Sequence, residues 1–285
     1  MSDALVICRL LHWTTAIAVF GVSLFQWRLA PAPLRDRLAP LLGGFAGASA
    51  VLAAATTVAW LFLVSAEIGE GPATVRVVLL ETQFGNVWQW RLALAAALIG
   101  AFAIAGQSRW LVIVILSALL LGSSGLVGHS TMLEGRLGWL NRSSHVVHLL
   151  AAGFWLGSLI PVLLTVRSLG DPKWFGEASL ALRRFSLAGH FAVLATVLSG
   201  GINTWLILGS WPMNPASPYQ ALLLAKIILV AVMIGLALVN RYALVPRLRA
   251  RPRAAILLGS ITGAEIGLGL VVLGLVSLFG TMAPE

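Results

Sequence analysis

GHSTMLEGRLGWLNRSSHVVHLLAAGFWLGSL, the stretch from Gly128 to Leu159, holds three of the chain's five histidines, His129, His145 and His148, together with Met132. A polar, glycine-containing opening that runs into a long apolar segment is the pattern of a loop entering a membrane span. Imidazole and thioether groups massed at the mouth of such a span suit a soft or borderline metal ion. The rest of the chain decides whether this stretch lies in a membrane protein, and on which side.

The 285 residues are 59% hydrophobic and only 10% charged, with a mean hydropathy of +0.94. A water-soluble domain of this length needs far more charge on its surface, so the composition points to an integral membrane protein. The net charge of +9 resembles a nucleic-acid signal, but the basic residues cluster in short linkers between apolar runs, which is a topology signal. The trailing RLRARPR (Arg247–Arg253) therefore reads as a cytoplasmic anchor. The single cysteine, Cys8, excludes an intrachain disulfide. No phosphate-binding loop, paired catalytic carboxylates or nucleophile elbow occurs in the sequence, and no enzymatic activity is expected.

Eight apolar runs are long enough to span a bilayer, near residues 4–29, 39–66, 86–106, 110–128, 144–166, 184–209, 219–244 and 254–280. The first reads as a span, not a cleavable leader, because its apolar stretch is long and no basic region precedes it. Linkers after the odd-numbered runs carry 13 of the 19 lysines and arginines. The positive-inside rule then puts those linkers in the cytoplasm and both termini outside, with an outer loop at 129–143. The expected fold is an all-α integral membrane protein of eight transmembrane helices, a single transmembrane domain over 1–285.

A degenerate repeat divides it. His12, Ala16 and Gly21 recur 136 residues later as His148, Ala152 and Gly157, while Phe84, Arg91, Ile99 and Gly100 recur 135 later as Tyr219, Lys226, Ile234 and Gly235. This predicts a tandem 4+4 arrangement, with halves 1–128 and 144–280. Four spans per unit is an even number, so the halves point the same way about an axis along the membrane normal.

The candidate metal ligands follow from that frame. His12 and His148 occupy equivalent places in the two halves and could face each other across the axis. Cys8 lies one helical turn outward of His12, and His145 one turn outward of His148. His129 and Met132, on the connecting loop, could fold over both helix ends. Such a set tolerates Cu(I) or Cu(II) and suits neither magnesium nor calcium, which want oxygen ligands. The ordinary alternative is interfacial histidines hydrogen-bonded to their neighbours. His190, near the cytoplasmic end of the sixth run, is too deep to share the site and reads as a local hydrogen-bonding residue or an exit-side ligand. Charged groups inside spans tend to mark function. Glu265, near the middle of the last span, is the candidate proton or cation relay; Lys226, Arg91 and Arg9 lie near the histidine layer, and Asn203 is placed to pair with Lys226.

With these residues in view, the sequence resembles the bacterial copper-resistance D family of inner-membrane proteins. Gly128–His129, His148 with LLAAGFWLGSL (Leu149–Leu159), RFS at Arg184–Ser186 and SGGIN at Ser199–Asn203 carry the resemblance. Tyr219 with LLLAKIILV (Leu222–Val230), NRY followed by Pro246 at Asn240–Tyr242, and Arg9 with His12 continue it. The resemblance implies copper transport, with uptake the favoured direction, across the inner membrane in copper homeostasis or resistance, beside a small periplasmic copper-binding partner of the copper-resistance C type. Two other classes stay open: a b-type membrane cytochrome holding haem b between His12 and His148, and a non-transporting copper sensor or assembly factor.

Overall fold

The computed structural model describes residues 3–128, 132–248 and 252–284. Helix accounts for nearly all of the ordered secondary structure, and no strand occurs among the described residues. The helices are α1 (Asp3–Leu24, continued by a π-turn at Phe25–Leu29), α2 (Ala32–Ile68), α3 (Pro72–Glu81), α4 (Gln83–Ala101) and α5 (Ser108–Gly122, ending in a 3₁₀ turn at Ser123–Leu126). They continue with α6 (Gly135–Ser168), α7 (Phe175–Leu208), α8 (Pro218–Val239, continued by a π-turn at Asn240–Leu244 and a 3₁₀ turn at Val245–Arg247) and α9 (Pro252–Phe279).

Seven of these, α1, α2 and α5 to α9, are long and apolar enough to cross a membrane. The eighth expected span corresponds to α4, whose 19 residues would extend about 28 Å at about 1.5 Å per residue. Gln83, Asn86, Gln89 and Arg91 dilute the apolar character of its first half.

Several boundaries differ from the sequence reading. The expected outer loop at 129–143 is helical from Gly135 onward, so His145 and His148 lie well inside α6 and not at its mouth. Charge and glycine mark that segment as a loop, yet the backbone keeps its hydrogen bonds by running on as an exposed helical extension. The Arg142 guanidinium lies 5.3 Å from the centre of the Trp139 ring there. In the same way α2 begins at Ala32 and α7 at Phe175, several residues earlier than the apolar runs suggest.

α1 is the central helix. From Thr15 to Ser23 every residue is buried, as expected of a helix that is apolar around its whole circumference. It packs against α2, α5, α6 and α9, while α6 packs against α7, α9 and α5. Lipid offers no hydrophobic drive for helices to associate, so close van der Waals contact at small residues has to supply it. Gly21 and Gly157 make that contact between α1 and α6: a Cβ on Gly157 would lie 2.1 Å from the Ile17 carbonyl oxygen, and one on Gly21 would lie 2.3 Å from the Gly157 carbonyl carbon. The Ser158 hydroxyl donates to the Gly21 carbonyl beside the crossing, at 3.2 Å. His12 and His148 each lie nine residues before their crossing glycine, about 13 Å along each helix.

The surroundings of the two histidines differ. α2 packs along α4, but α7 and α8 make no comparable contact among the described residues. α8 packs on α9 and leans on α7 at its C-terminal end, where Arg241 donates to the Ser186 hydroxyl at 2.5 Å and His190 meets the Tyr242 hydroxyl at 3.3 Å.

Candidate metal site

His12 is wholly buried. Its Nε2 lies 2.6 Å from Nη2 of Arg91. A guanidinium can only donate, so Nε2 is the acceptor and the ring proton sits on Nδ1. Nδ1 is 3.1 Å from the Thr56 hydroxyl, whose own proton goes to the Leu52 carbonyl at 2.8 Å. Both imidazole nitrogens are thus used inside the protein. Arg91 is held in turn by the Leu120 carbonyl at 3.3 Å, Ser123 at 2.9 Å and Ser124 at 2.5 Å. The 3₁₀ turn that ends α5 presents these acceptors, and the guanidinium lies 4.7 Å from the Trp88 ring centre. A cation buried without a carboxylate is tolerable when its donors find this many oxygens. Cys8 joins the same cluster through Thr56, its thiol 3.4 Å from that residue's carbonyl. Arg9 instead ties α1 to the end of α9, donating to the Gly280 carbonyl at 2.9 Å, with Trp60 5.3 Å away.

His148 is set differently. Its Nδ1 is 3.0 Å from the Thr196 carbonyl and 3.2 Å from the Ser199 hydroxyl, so Nδ1 carries the proton. Nε2 keeps its lone pair and makes no hydrogen bond among the described residues. A backbone carbonyl that fixes the tautomer and leaves the other nitrogen free is the usual support behind a metal-binding histidine. The ring is half-buried and close enough to Lys226 and His145 to interact with both electrostatically. The glycines of SGGIN have a steric reason here. A Cβ on Gly200 would lie 3.2 Å from Cε1 of His148, and one on Gly201 would lie 3.8 Å from the Trp211 ring. Trp211 therefore folds down from the α7–α8 loop onto α7, one residue from the histidine's seat. A cleft of about 470 Å³ opens beside it, lined by Trp205, Ser210, Trp211, Met213, Asn214 and Gln220.

The structure brings His145 together with His148, and Cys8 with His12, but it holds the two groups on different helices. His12 turns into α2 and α4; His148 turns onto α7. They do not face each other, and with Nε2 of His12 taken by Arg91 the pair does not fit bis-histidine haem ligation. Among the described residues no three histidine, cysteine or carboxylate side chains converge on one point. His129 lies outside the described residues, and Met132 is 59% exposed. Asn203 approaches His145, at 3.5 Å, in place of the expected Lys226. The Lys226 ammonium is 5.8 Å from the Phe279 ring centre. His190 binds locally, Nδ1 to the Ser186 carbonyl at 2.7 Å. Glu265 is buried and accepts from the Asn240 amide at 2.9 Å. Sequence alone does not single out Thr56, Thr196, Ser123, Ser124 or Asn240 for these roles. The only signal they give is a hydroxyl or amide inside an otherwise apolar run.

Seven helices long and apolar enough to cross a membrane, with His12 and Arg91 buried together among them, define a multi-pass membrane protein with polar chemistry inside its helices. Residues 1–139 match the family described as copper resistance protein D-like, N-terminal domain, and residues 179–279 match copper resistance protein D. The chain is 35% identical to inner membrane protein YebZ of Escherichia coli (strain K12), over 97% of each chain. It is 29% identical to copper resistance protein D of Pseudomonas syringae pv. tomato, over 100% of this chain and 98% of that one. The chain belongs to the copper-resistance D family, and it is a copper-related membrane protein. No solved structure matches it.

Proposed function

We propose that this protein carries copper ions inward across the bacterial inner membrane, and that His148 is the principal ligand for the incoming ion. The free Nε2 of His148, oriented by the Thr196 carbonyl, is the observation that carries the reading. His145 lies one turn outward on the same helix. His129 and Met132, which precede that helix, would complete a set of two to four soft and borderline ligands. The cleft under Met213 and Trp211 is the approach from the outer side. In this reading His12 is not a ligand; with Arg91 it closes the other half of the bundle.

The reading includes eight spans, with α4 as the third, both termini outside, and a tandem 4+4 repeat. Support comes from the basic linkers, from the Gly21–Gly157 contact between positions 136 residues apart, and from the neighbouring His12/Arg91 and His148/Lys226 pairs. The inner-membrane location rests on the likeness to YebZ. Copper flux into proteoliposomes tests the function. Uptake by the wild type and its loss in His148→Ala, with insertion intact, is the expected result; equal flux in both overturns the assignment.

A further inference from the structure

Glu265 and Asn240 stand apart from the histidine layer and are buried between α8 and α9. Glu265 is 2% exposed and Asn240 9%. Asn240 opens the π-turn of α8, and its Nδ2 donates to Oε2 of Glu265 at 2.9 Å. The second oxygen on each side, Oε1 of Glu265 and Oδ1 of Asn240, is buried with no hydrogen-bond donor among the described residues. Two acceptors left over on one hydrogen-bonded pair are what an ionised carboxylate would leave. A carboxylic acid would leave none, because its O–H on Oε1 can donate to Oδ1 and close a ring with the bond already present.

The surroundings favour the neutral acid. The nearest side chains of α6 to Gly259 and Gly269 of α9 are Val166, Leu163 and Leu156, and the cavity wall that Ile266 shares with α1 and α6 is formed by Thr14, Thr15, Ile17, Ala18, Leu156, Gly157 and Ile160, none of them titratable. On α8 the buried residue two turns outward of Asn240 is Met233. Two arginines near this end of α7 and α8 are engaged elsewhere: Arg241 with Ser186, and Arg184 with the Leu29 carbonyl at 3.3 Å. His190 is held by the Ser186 carbonyl and Tyr242. Glu265 makes no ion pair among the described residues. An unpaired charge inside a membrane protein is expensive, whereas a buried acid whose hydrogen bonds are all made is not.

We propose that Glu265 and Asn240 form a proton-binding site, a neutral carboxylic acid closed onto the amide by two hydrogen bonds. Loss of the proton from Oε1 breaks the bond to Oδ1 and turns a negative oxygen toward a carbonyl dipole, so release requires the π-turn to move away from α9. That turn also carries Arg241 and Tyr242, which grip α7. One proton therefore controls how α8 is clamped between its two neighbours. The site does not depend on the copper assignment, since it shares no residue with it.

Infrared spectroscopy of the purified protein in lipid nanodiscs tests this without copper. At neutral pH the wild type should show a protonated-carboxyl stretch that Glu265→Gln removes and that Asn240→Leu moves to higher frequency. Glutamine can make the same ring through its own amide, so Glu265→Gln should melt with the wild type at acid pH, where the folded and unfolded wild type both hold the proton. It should also keep that melting temperature as the pH rises, whereas the wild type loses stability from the ordinary carboxylate range up to the pH at which the folded site ionises, because the unfolded chain gives up the proton first. Absence of the band from the wild type, its persistence in Glu265→Gln, or failure of Glu265→Gln to fold would each overturn the proposal. So would an ionised carboxylate whose stability depends on sodium or potassium, which would make this a cation site instead. The wild-type and Glu265→Gln spectra decide the matter even where Asn240→Leu does not fold.

Discussion

His12 and His148 occupy matching positions in the sequence, yet their replacement by alanine should have opposite consequences. His12→Ala removes the acceptor from Arg91 Nη2, which sits 2.6 Å from Nε2 in a wholly buried cluster, and leaves an imidazole-sized cavity beside it. Leaving a buried donor of a charged group without its acceptor costs about 1–3 kcal/mol or more. Copper affinity should stay within about twofold of the wild type, because a lone pair already taken by a guanidinium is not available to a metal. His148→Ala deletes one half-buried ring. It gives up the hydrogen bond to the Thr196 carbonyl, a net effect of about 1 kcal/mol. Deleting a copper ligand should weaken binding by at least the roughly 10- to 100-fold that follows from removing even an outer-shell support. Thermal unfolding of detergent-purified protein reads the first quantity, and competition for Cu(I) against a chromogenic chelator reads the second. A His12→Ala protein that is as stable as wild type but copper-deficient would refute the reasoning, as would equal affinity losses in the two variants.

Gly157→Ala places its Cβ 2.1 Å from the Ile17 oxygen and forces α1 and α6 apart, so thermal unfolding should register a loss of about 1–3 kcal/mol or more. Gly235→Ala, where a Cβ meets nothing within 4 Å, should be neutral or stabilising by up to about 1 kcal/mol; equal effects in the two would refute the close crossing. Gly200→Val replaces no proposed ligand but pushes against the His148 ring, and should weaken Cu(I) binding about tenfold in the same chelator assay. Unchanged affinity would mean that His148 does not hold the metal. Whether α4 crosses the membrane can be read by thiol labelling of Gly71→Cys and Lys173→Cys in intact and opened cells. Eight spans put the two on opposite sides, and seven put them on the same side.

The sequence alone determined the membrane character, the long helices, the basic linkers and the family, because each depends on composition or on order along the chain. Hydropathy needs no partner to be read: a run of about twenty apolar residues is costly in water wherever it ends up. The spacing of Gly21 and Gly157 also shows in the sequence as matching positions. What it could not show is the direction in which a side chain turns. Helical spacing placed Cys8 near His12 and His145 near His148, but the rotation of α1 and α6 about their axes depends on packing against α2, α4 and α7. That rotation sends one imidazole to Arg91 and the other to the Thr196 carbonyl. The same holds for Glu265, whose depth was legible but whose partner was not. A π-turn inserts one extra residue into the helical repeat and so changes which face Asn240 occupies. Only the tertiary structure decided which of two equivalent histidines keeps a free lone pair, because that depends on whether a neighbouring helix closes over it.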